Sequence, residues 1–243
     1  MTVDPDSRRR TVVITGSSSG IGRSLALEFG RRGYVLHLVG RNIASLDRVQ
    51  AGAPAGSRVY NVDFQETAEV ARLSGELSAG LPGVDVLVCS AGLFAAGSFD
   101  TLTVAEFDRQ WLVNVRAPYV LIQALLPALR AFQGQVVFIN SLAGQGMHGA
   151  PRISAYTATK QALRALADGL RAEVNDDGVR VLSVFPGRTA TAMQEGIHGR
   201  EGKAYHPEHL LQPEDVAMAV MAALDMPRTA ELTDIILRPM RKA

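Results

Sequence analysis

The chain has 243 residues, of which 47% are hydrophobic and 20% charged, with a formal net charge of +1. That balance suits one globular domain with a sizeable core and gives no general attraction to nucleic acid or an anionic membrane; no uninterrupted apolar run reaches the roughly 18 residues of a bilayer span. Cys89 is the one cysteine and cannot form an internal disulfide, and no apolar leader precedes the first strand, so a reducing cytoplasm is the expected setting.

In chain order, Arg8-Arg9-Arg10 follows Asp4 and Asp6 and reads as the end of a solvated, flexible tail over 1–10, with a single domain over 11–243. Strands are predicted over 11–15, 34–39, 58–62, 84–90, 135–140, 180–185 and 233–237. Several are apolar on both faces, as in Val136-Val137-Phe138-Ile139, which fits a parallel sheet covered by helices on both sides. Regular βα alternation predicts an α/β, doubly wound, Rossmann-like domain.

The first strand runs into Thr15-Gly16-Ser17-Ser18-Ser19-Gly20-Ile21-Gly22, and a helix predicted over 21–32 ends at Gly33. A glycine turn between a strand and a helix is the setting of a dinucleotide site. Glycines admit a pyrophosphate to the backbone, and the helix N-terminus attracts its charge. Gly40-Arg41 closes the second strand where an acidic residue would accept ribose hydroxyls and repel a 2′-phosphate. The Arg41 guanidinium suits that phosphate, with Ser17, Ser18 or Asn42 as possible assistants, so NADP(H) is expected and NAD(H) is the alternative.

Farther on, 104–132 is predicted as a long helix with Val113, Val115, Val120, Leu121, Ile122, Leu125, Leu126 and Leu129 on more than one face. Such a helix needs two partners, the sheet and a second subunit, so a homodimer or homotetramer is expected. In Tyr156-Thr157-Ala158-Thr159-Lys160 a helix would bring the phenol and the ammonium onto one face, and the positive charge would draw the phenol's pKa down. The segment 189–212 breaks the rhythm with Gly196, Gly199, Gly202 and Pro207 and is read as a substrate lid without a long amphipathic helix. His148, His206 and His209 bring no coherent set of zinc ligands, so no metal is expected.

Thr-Gly-x-x-x-Gly-x-Gly followed far downstream by Tyr-x-x-x-Lys resembles the short-chain dehydrogenase/reductase family over nearly the whole chain. The resemblance implies cofactor contacts from Gly16, Ser18, Ser19, Gly20, Ile21 and Gly22. It also implies an adenine contact from Asp63, and cofactor contacts from Ala91 and Gly92, where Cys89-Ser90-Ala91-Gly92 replaces the family's usual Asn-Asn-Ala-Gly. Without those asparagines, Cys89 and Ser90 must satisfy their surroundings differently, and Cys89 reads as a small buried residue. The resemblance further implies that Ser141 hydrogen-bonds the substrate oxygen, Tyr156 transfers its proton, and Lys160 holds the nicotinamide ribose while stabilising phenolate. Asn114 would bind a water in a proton relay. Pro186 and Gly187 border the nicotinamide, and Thr191, with Thr189 as competitor, bonds its amide.

The Tyr-to-Lys spacing is shorter than in related enoyl reductases, which implies carbonyl or alcohol chemistry on a small molecule. The interval from Ser141 to Tyr156, with Gly144, Gly146, Gly149 and Pro151, is longer than is common in the family and reads as an enlarged substrate loop. The ending Thr233-Asp234-Ile235-Ile236-Leu237 lacks the Asp-Gly-Gly of many 3-oxoacyl carrier-protein reductases. The alternative to an oxidoreductase is a non-catalytic, NADP(H)-binding redox-sensing regulator, which would need only the nucleotide site.

Overall fold

Alternating strands and helices follow one another in the computed structural model, which describes residues 8–146 and 151–241. In chain order they are β1 (Thr11–Thr15), α1 (Gly20–Arg31), β2 (Val35–Gly40), α2 (Ile43–Gln50), β3 (Arg58–Asn61), α3 (Thr67–Gly80), β4 (Val86–Cys89), α4 (Val104–Trp111), α5 (Ala117–Ala131), β5 (Gln135–Ile139), α6 (Ser154–Val174), β6 (Arg180–Pro186), α7 (Ala192–Glu201), α8 (Pro213–Leu224) and β7 (Asp234–Leu237). Asp4, Asp6, His148 and Gly149 lie outside the described residues.

All neighbouring strands pair in parallel, in the order β3-β2-β1-β4-β5-β6-β7. The chain therefore winds outward in both directions from the β1/β4 junction, and the C-terminal strand ends there open a crevice. Pleating sends alternate residues to opposite faces. Val13, Leu87, Val136 and Phe138 pack with α3, α5 and α6, while Val12, Ile14, Leu36, Leu38 and Val137 pack with α1 and α8. The doubly wound architecture expected from the strand rhythm is the one observed.

Four expectations change in detail. Arg8 belongs to the domain rather than to a flexible tail: its guanidinium donates to Asp85 at 2.8 Å and lies 3.7 Å from the Phe132 ring centroid. The stretch expected as one regular helix is α4 and α5 joined by a π-helical turn, Leu112–Arg116, which carries Asn114. Taken together, the 28 residues Val104–Ala131 match a membrane span in length and contain a window apolar enough for one, which a search for uninterrupted apolar runs overlooks. Half of its most apolar window is buried inside the protein, with Leu121, Leu125 and Leu129 packed in the sheet-facing core. Finally, the segment read as a lid without a long amphipathic helix holds the short helix α7, with Thr191 accepting from the Gln194 amide as its N-cap and Gly202 in the left-handed region at its end.

Candidate active site

A cleft of about 1400 Å³ runs along the C-terminal strand ends and is lined by Gly16, Ser18, Ser19, Gly20, Ile21, Gly22, Arg41, Asp63, Ala91, Gly92, Ser141, Tyr156, Lys160, Pro186, Gly187, Thr189 and Thr191. Of the residues expected to contact substrate or cofactor, Asn114 and Ser17 stand behind its wall rather than on it.

At one end β1 turns sharply into α1. Gly16 has φ +70°, and a Cβ there would sit 2.9 Å from the Ala91 backbone; a Cβ on Gly22 would collide with the Gly16 carbonyl. Ser19 precedes α1 with no side-chain cap bond, and the first turn carries no acidic residue. The amides at this helix start are thus left facing the cleft beside a turn that only glycine can make, which fits a pyrophosphate. Thr15 holds the opposite lip: its Oγ1 accepts from the Ser90 and Ala91 amides at 3.0 Å each and donates to the Val88 carbonyl at 3.3 Å. This threonine braces the strand end where the family's asparagines are missing. Cys89 is buried, and desolvation pushes its thiol up to about 12, consistent with an inert packing residue.

Beyond the glycine turn, Arg41 is largely exposed and reaches toward Asp63, with 3.7 Å between Nη1 and Oδ2. That separation is too long for a hydrogen bond and leaves the guanidinium fork free. Ser18 lies beside Gly40. Ser17 does not face the cleft as a phosphate assistant would: it is fully buried and its Oγ donates to the Val39 carbonyl at 3.3 Å. Asn42 is engaged as the N-cap of α2, accepting from the Ser45 amide at 3.0 Å.

At the other end, β5 delivers Ser141 and α6 delivers Tyr156 and Lys160. The Ser141 Oγ accepts from the Ala143 amide at 3.2 Å, leaving its proton available. The Lys160 ammonium is buried and donates to the Ile139 carbonyl at 3.1 Å; burial pulls its pKa down to about 8. The Tyr156 phenol is pushed up to about 12 by burial, with a hydrogen bond to Ser141 pulling the other way. The lowering expected from Lys160 does not occur in this state: desolvation dominates the phenol, and Lys160 Nζ stands 5.8 Å from the ring centroid.

Asn114 sits at the centre of the supporting framework. Its Oδ1 accepts from the Leu93 amide at 2.8 Å, and its Nδ2 donates to the Leu93 carbonyl at 2.9 Å and to Thr159 Oγ1 at 3.0 Å; Thr159 in turn donates to the Tyr156 carbonyl. Both amide protons are committed, so the side chain ties the β4 loop to α6 instead of presenting a donor to a relay water.

Two positioning residues escaped the sequence reading. Asn140 donates to the Lys160 carbonyl at 3.1 Å and accepts from the Ser141 amide at 2.9 Å, linking β5 to α6. Gln110, one turn before Asn114 and fully buried, accepts from the Ala95 amide at 3.0 Å. With residues 93 and 95 both pinned, Phe94 between them packs edge-on against Tyr156 at 5.0 Å. A buried amide closing a strand and a Gln-x-x-x-Asn pair among apolar helix residues were the signals available.

The segment 189–212 is tied at both ends by bonds from the Ala190 amide to the Leu211 carbonyl and from the Leu211 amide to the Arg188 carbonyl. Between them α7 leans over the cleft, with Thr191 touching the position a Gly20 Cβ would take, 3.0 Å away. Thr191 keeps a hydroxyl proton to offer, whereas Thr189 donates its own to the Gly187 carbonyl. Among the described residues no group of three or more His, Cys, Asp or Glu side chains converges.

A family model described as short chain dehydrogenase matches residues 10–202. An uncharacterized short-chain type dehydrogenase/reductase of Sinorhizobium fredii is 31% identical over 97% of this chain and 93% of its own length. Among solved structures, an alcohol dehydrogenase from Thermococcus sibiricus complexed with 5-hydroxy-NADP superposes with a TM-score of 0.83 at 27% identity, covering 97% of this chain and 99% of that one. A short-chain dehydrogenase from Sphingobium yanoikuyae in complex with NADPH gives 0.80 at 30% identity, covering 93% of this chain and 87% of that one.

Proposed function

The chain belongs to the short-chain dehydrogenase family, and on that premise we propose that it is an NADP(H)-dependent oxidoreductase exchanging hydride between nicotinamide and a carbonyl or secondary alcohol. The observation that carries this reading is the convergence of Ser141, Tyr156 and Lys160 on the same cleft as the glycine turn. The cofactor supplies the hydride, which no side chain can provide.

The protein's own groups supply the proton and the electrostatics. A carbonyl accepting hydride becomes an alkoxide, and the Ser141 hydroxyl, which bonds Tyr156 in this state, can turn to donate a hydrogen bond to that growing charge. Tyr156, whose pKa lies well above neutrality, stands protonated at pH 7 and is equipped to act as general acid in the reducing direction. Lys160, cationic at neutral pH in its buried setting, stabilises the phenolate left behind. Alcohol oxidation runs the same steps in reverse. Lys160 and Thr191 are the residues suited to the nicotinamide riboside, and Asp63 to the adenine.

Phosphate preference is read from Arg41, an exposed guanidinium at the end of β2 that pairs with Asp63 only at 3.7 Å, beyond hydrogen-bond distance. NADP-type cofactors in two of the solved relatives favour the same choice. Titration should give tighter binding for NADPH than for NADH, and Arg41→Ala should weaken NADPH by about tenfold or more while leaving NADH nearly unchanged. Tighter NADH binding by the parent protein would reject the preference. The segment 189–212 is read as a cover over the substrate end, and the outer face of α4 and α5 as a subunit contact. A cytoplasmic setting rests on the sequence alone.

A further inference from the structure

Building on the oxidoreductase reading, we infer that the substrate is an uncharged carbonyl compound with a bulky apolar substituent, not a sugar or a carboxylic acid. Around Ser141 and Tyr156 the cleft is walled by Phe94, Leu142, Ile153, Met193 and Ile197. Phe94 is fixed by the backbone clamps on either side of it and packs on the catalytic ring. Leu142 directly follows Ser141 and closes against Gly187, where a Cβ would lie 3.2 Å from its Cδ1. Ile153 opens α6, accepting from the Thr157 amide. Met193 and Ile197, one turn apart on α7, present one apolar face to the same space.

Charge leaves little for an anionic substrate. Arg188 borders this end of the cleft, but its Nη2 contacts both Glu201 carboxylate oxygens at 3.3 Å, and Nη1 faces His198 Nε2 at 3.5 Å. Lys203 lies 2.8 Å from the same carboxylate, and with Arg188 it holds the Glu201 pKa below the usual range, so Glu201 stays ionised on the cleft wall. An incoming carboxylate would meet an arginine whose donors are already engaged by Glu201, not a free guanidinium fork.

Polyols fare no better. The amides bordering the site are turned inward: Asn114 to Leu93 and Thr159, Asn140 to Lys160 and Ser141, Gln194 to His198. What remains near the reaction centre among the described residues is a hydroxyl pair, Ser141 and Tyr156, suited to one oxygen within an apolar enclosure.

With NADPH saturating, kcat/KM should be measured across straight-chain methyl ketones from butanone to octanone, acetophenone, 2-oxo acids of matched carbon number and a keto sugar. Each added methylene is expected to raise kcat/KM about fourfold until the pocket is filled, and acetophenone should exceed the 2-oxo acids by on the order of 100-fold. Met193→Arg, at a part-exposed position, should narrow that gap by about tenfold or more while NADPH affinity stays unchanged. Preferred turnover of the oxo acids or the sugar, abolished by Tyr156→Phe, would overturn the substrate class and leave the oxidoreductase reading standing. No reduction of any carbonyl by protein that binds NADPH would overturn both.

Discussion

Lys160 shows what a buried ammonium costs the fold. Its ammonium is buried with one carbonyl partner, and its pKa falls from 10.5 to about 8. Between those values the folded protein binds fewer protons than the unfolded chain, so this residue makes stability rise with pH across that window. Below pH 8 the full penalty applies, at most about 3 kcal/mol. Lys160→Met should therefore raise the melting temperature at pH 7, and the gain should shrink between pH 8 and 10; no gain at pH 7 would contradict the assignment. Tyr156, raised to about 12, acts in the opposite sense only above about pH 10. The residues proposed to carry chemistry stand out in the sequence because their types and spacing are unusual together, and the structure brings Ser141, Tyr156 and Lys160 to one cleft. Their electrostatics were not: whether a lysine lowers a neighbouring tyrosine depends on the desolvation of both, which sequence spacing does not reveal. Likewise Ser17, read among three serines in a turn, is separated from Ser18 only by which way the backbone points it.

At the scale of elements, sheet order and helix placement followed from apolar runs and glycine punctuation, with strand ends off by a residue or two. The π-helical turn at Leu112–Arg116 left no mark in apolar periodicity, because a one-residue shift in hydrogen bonding moves side chains only partway around the axis. Helix α7 was missed because its glycines and histidines give a poor amphipathic pattern; its stop at Gly202 and cap at Thr191 were the readable signs. The turn before α1 makes a sharp demand. Gly16→Ala would place a Cβ 2.9 Å from the Ala91 backbone in a left-handed conformation. A stability loss of about 1–3 kcal/mol is expected from the strain, together with a rise of about tenfold or more in the NADPH dissociation constant. Thermal melting and fluorescence titration check the two effects, and unchanged cofactor affinity would argue against the cradle.

The whole molecule joins three parts at the β1/β4 crevice: a glycine turn, the Ser141, Tyr156 and Lys160 group, and an apolar face of α7. The long α4–α5 stretch contributes Asn114 and Gln110 to that crevice from its inner side. On its outer side Val104, Phe107, Trp111 and Tyr119 are exposed, with Phe107 and Trp111 stacked 6.3 Å apart. We propose this face for the second partner expected from the sequence, though the leucines and valines that prompted the expectation are mostly spent on the protein's own core. Sedimentation should give a dimer or tetramer at micromolar concentration, and Trp111→Glu should shift it toward monomer; a monomeric parent would remove this part of the account. The central claim is that Tyr156 moves a proton at a site already able to hold its cofactor. The most direct measurement is kcat for carbonyl reduction by Tyr156→Phe against the parent protein, with NADPH affinity measured on both. A fall in kcat of about 10²–10⁴ with NADPH binding preserved is the predicted result; near-normal turnover by the phenylalanine variant would contradict it.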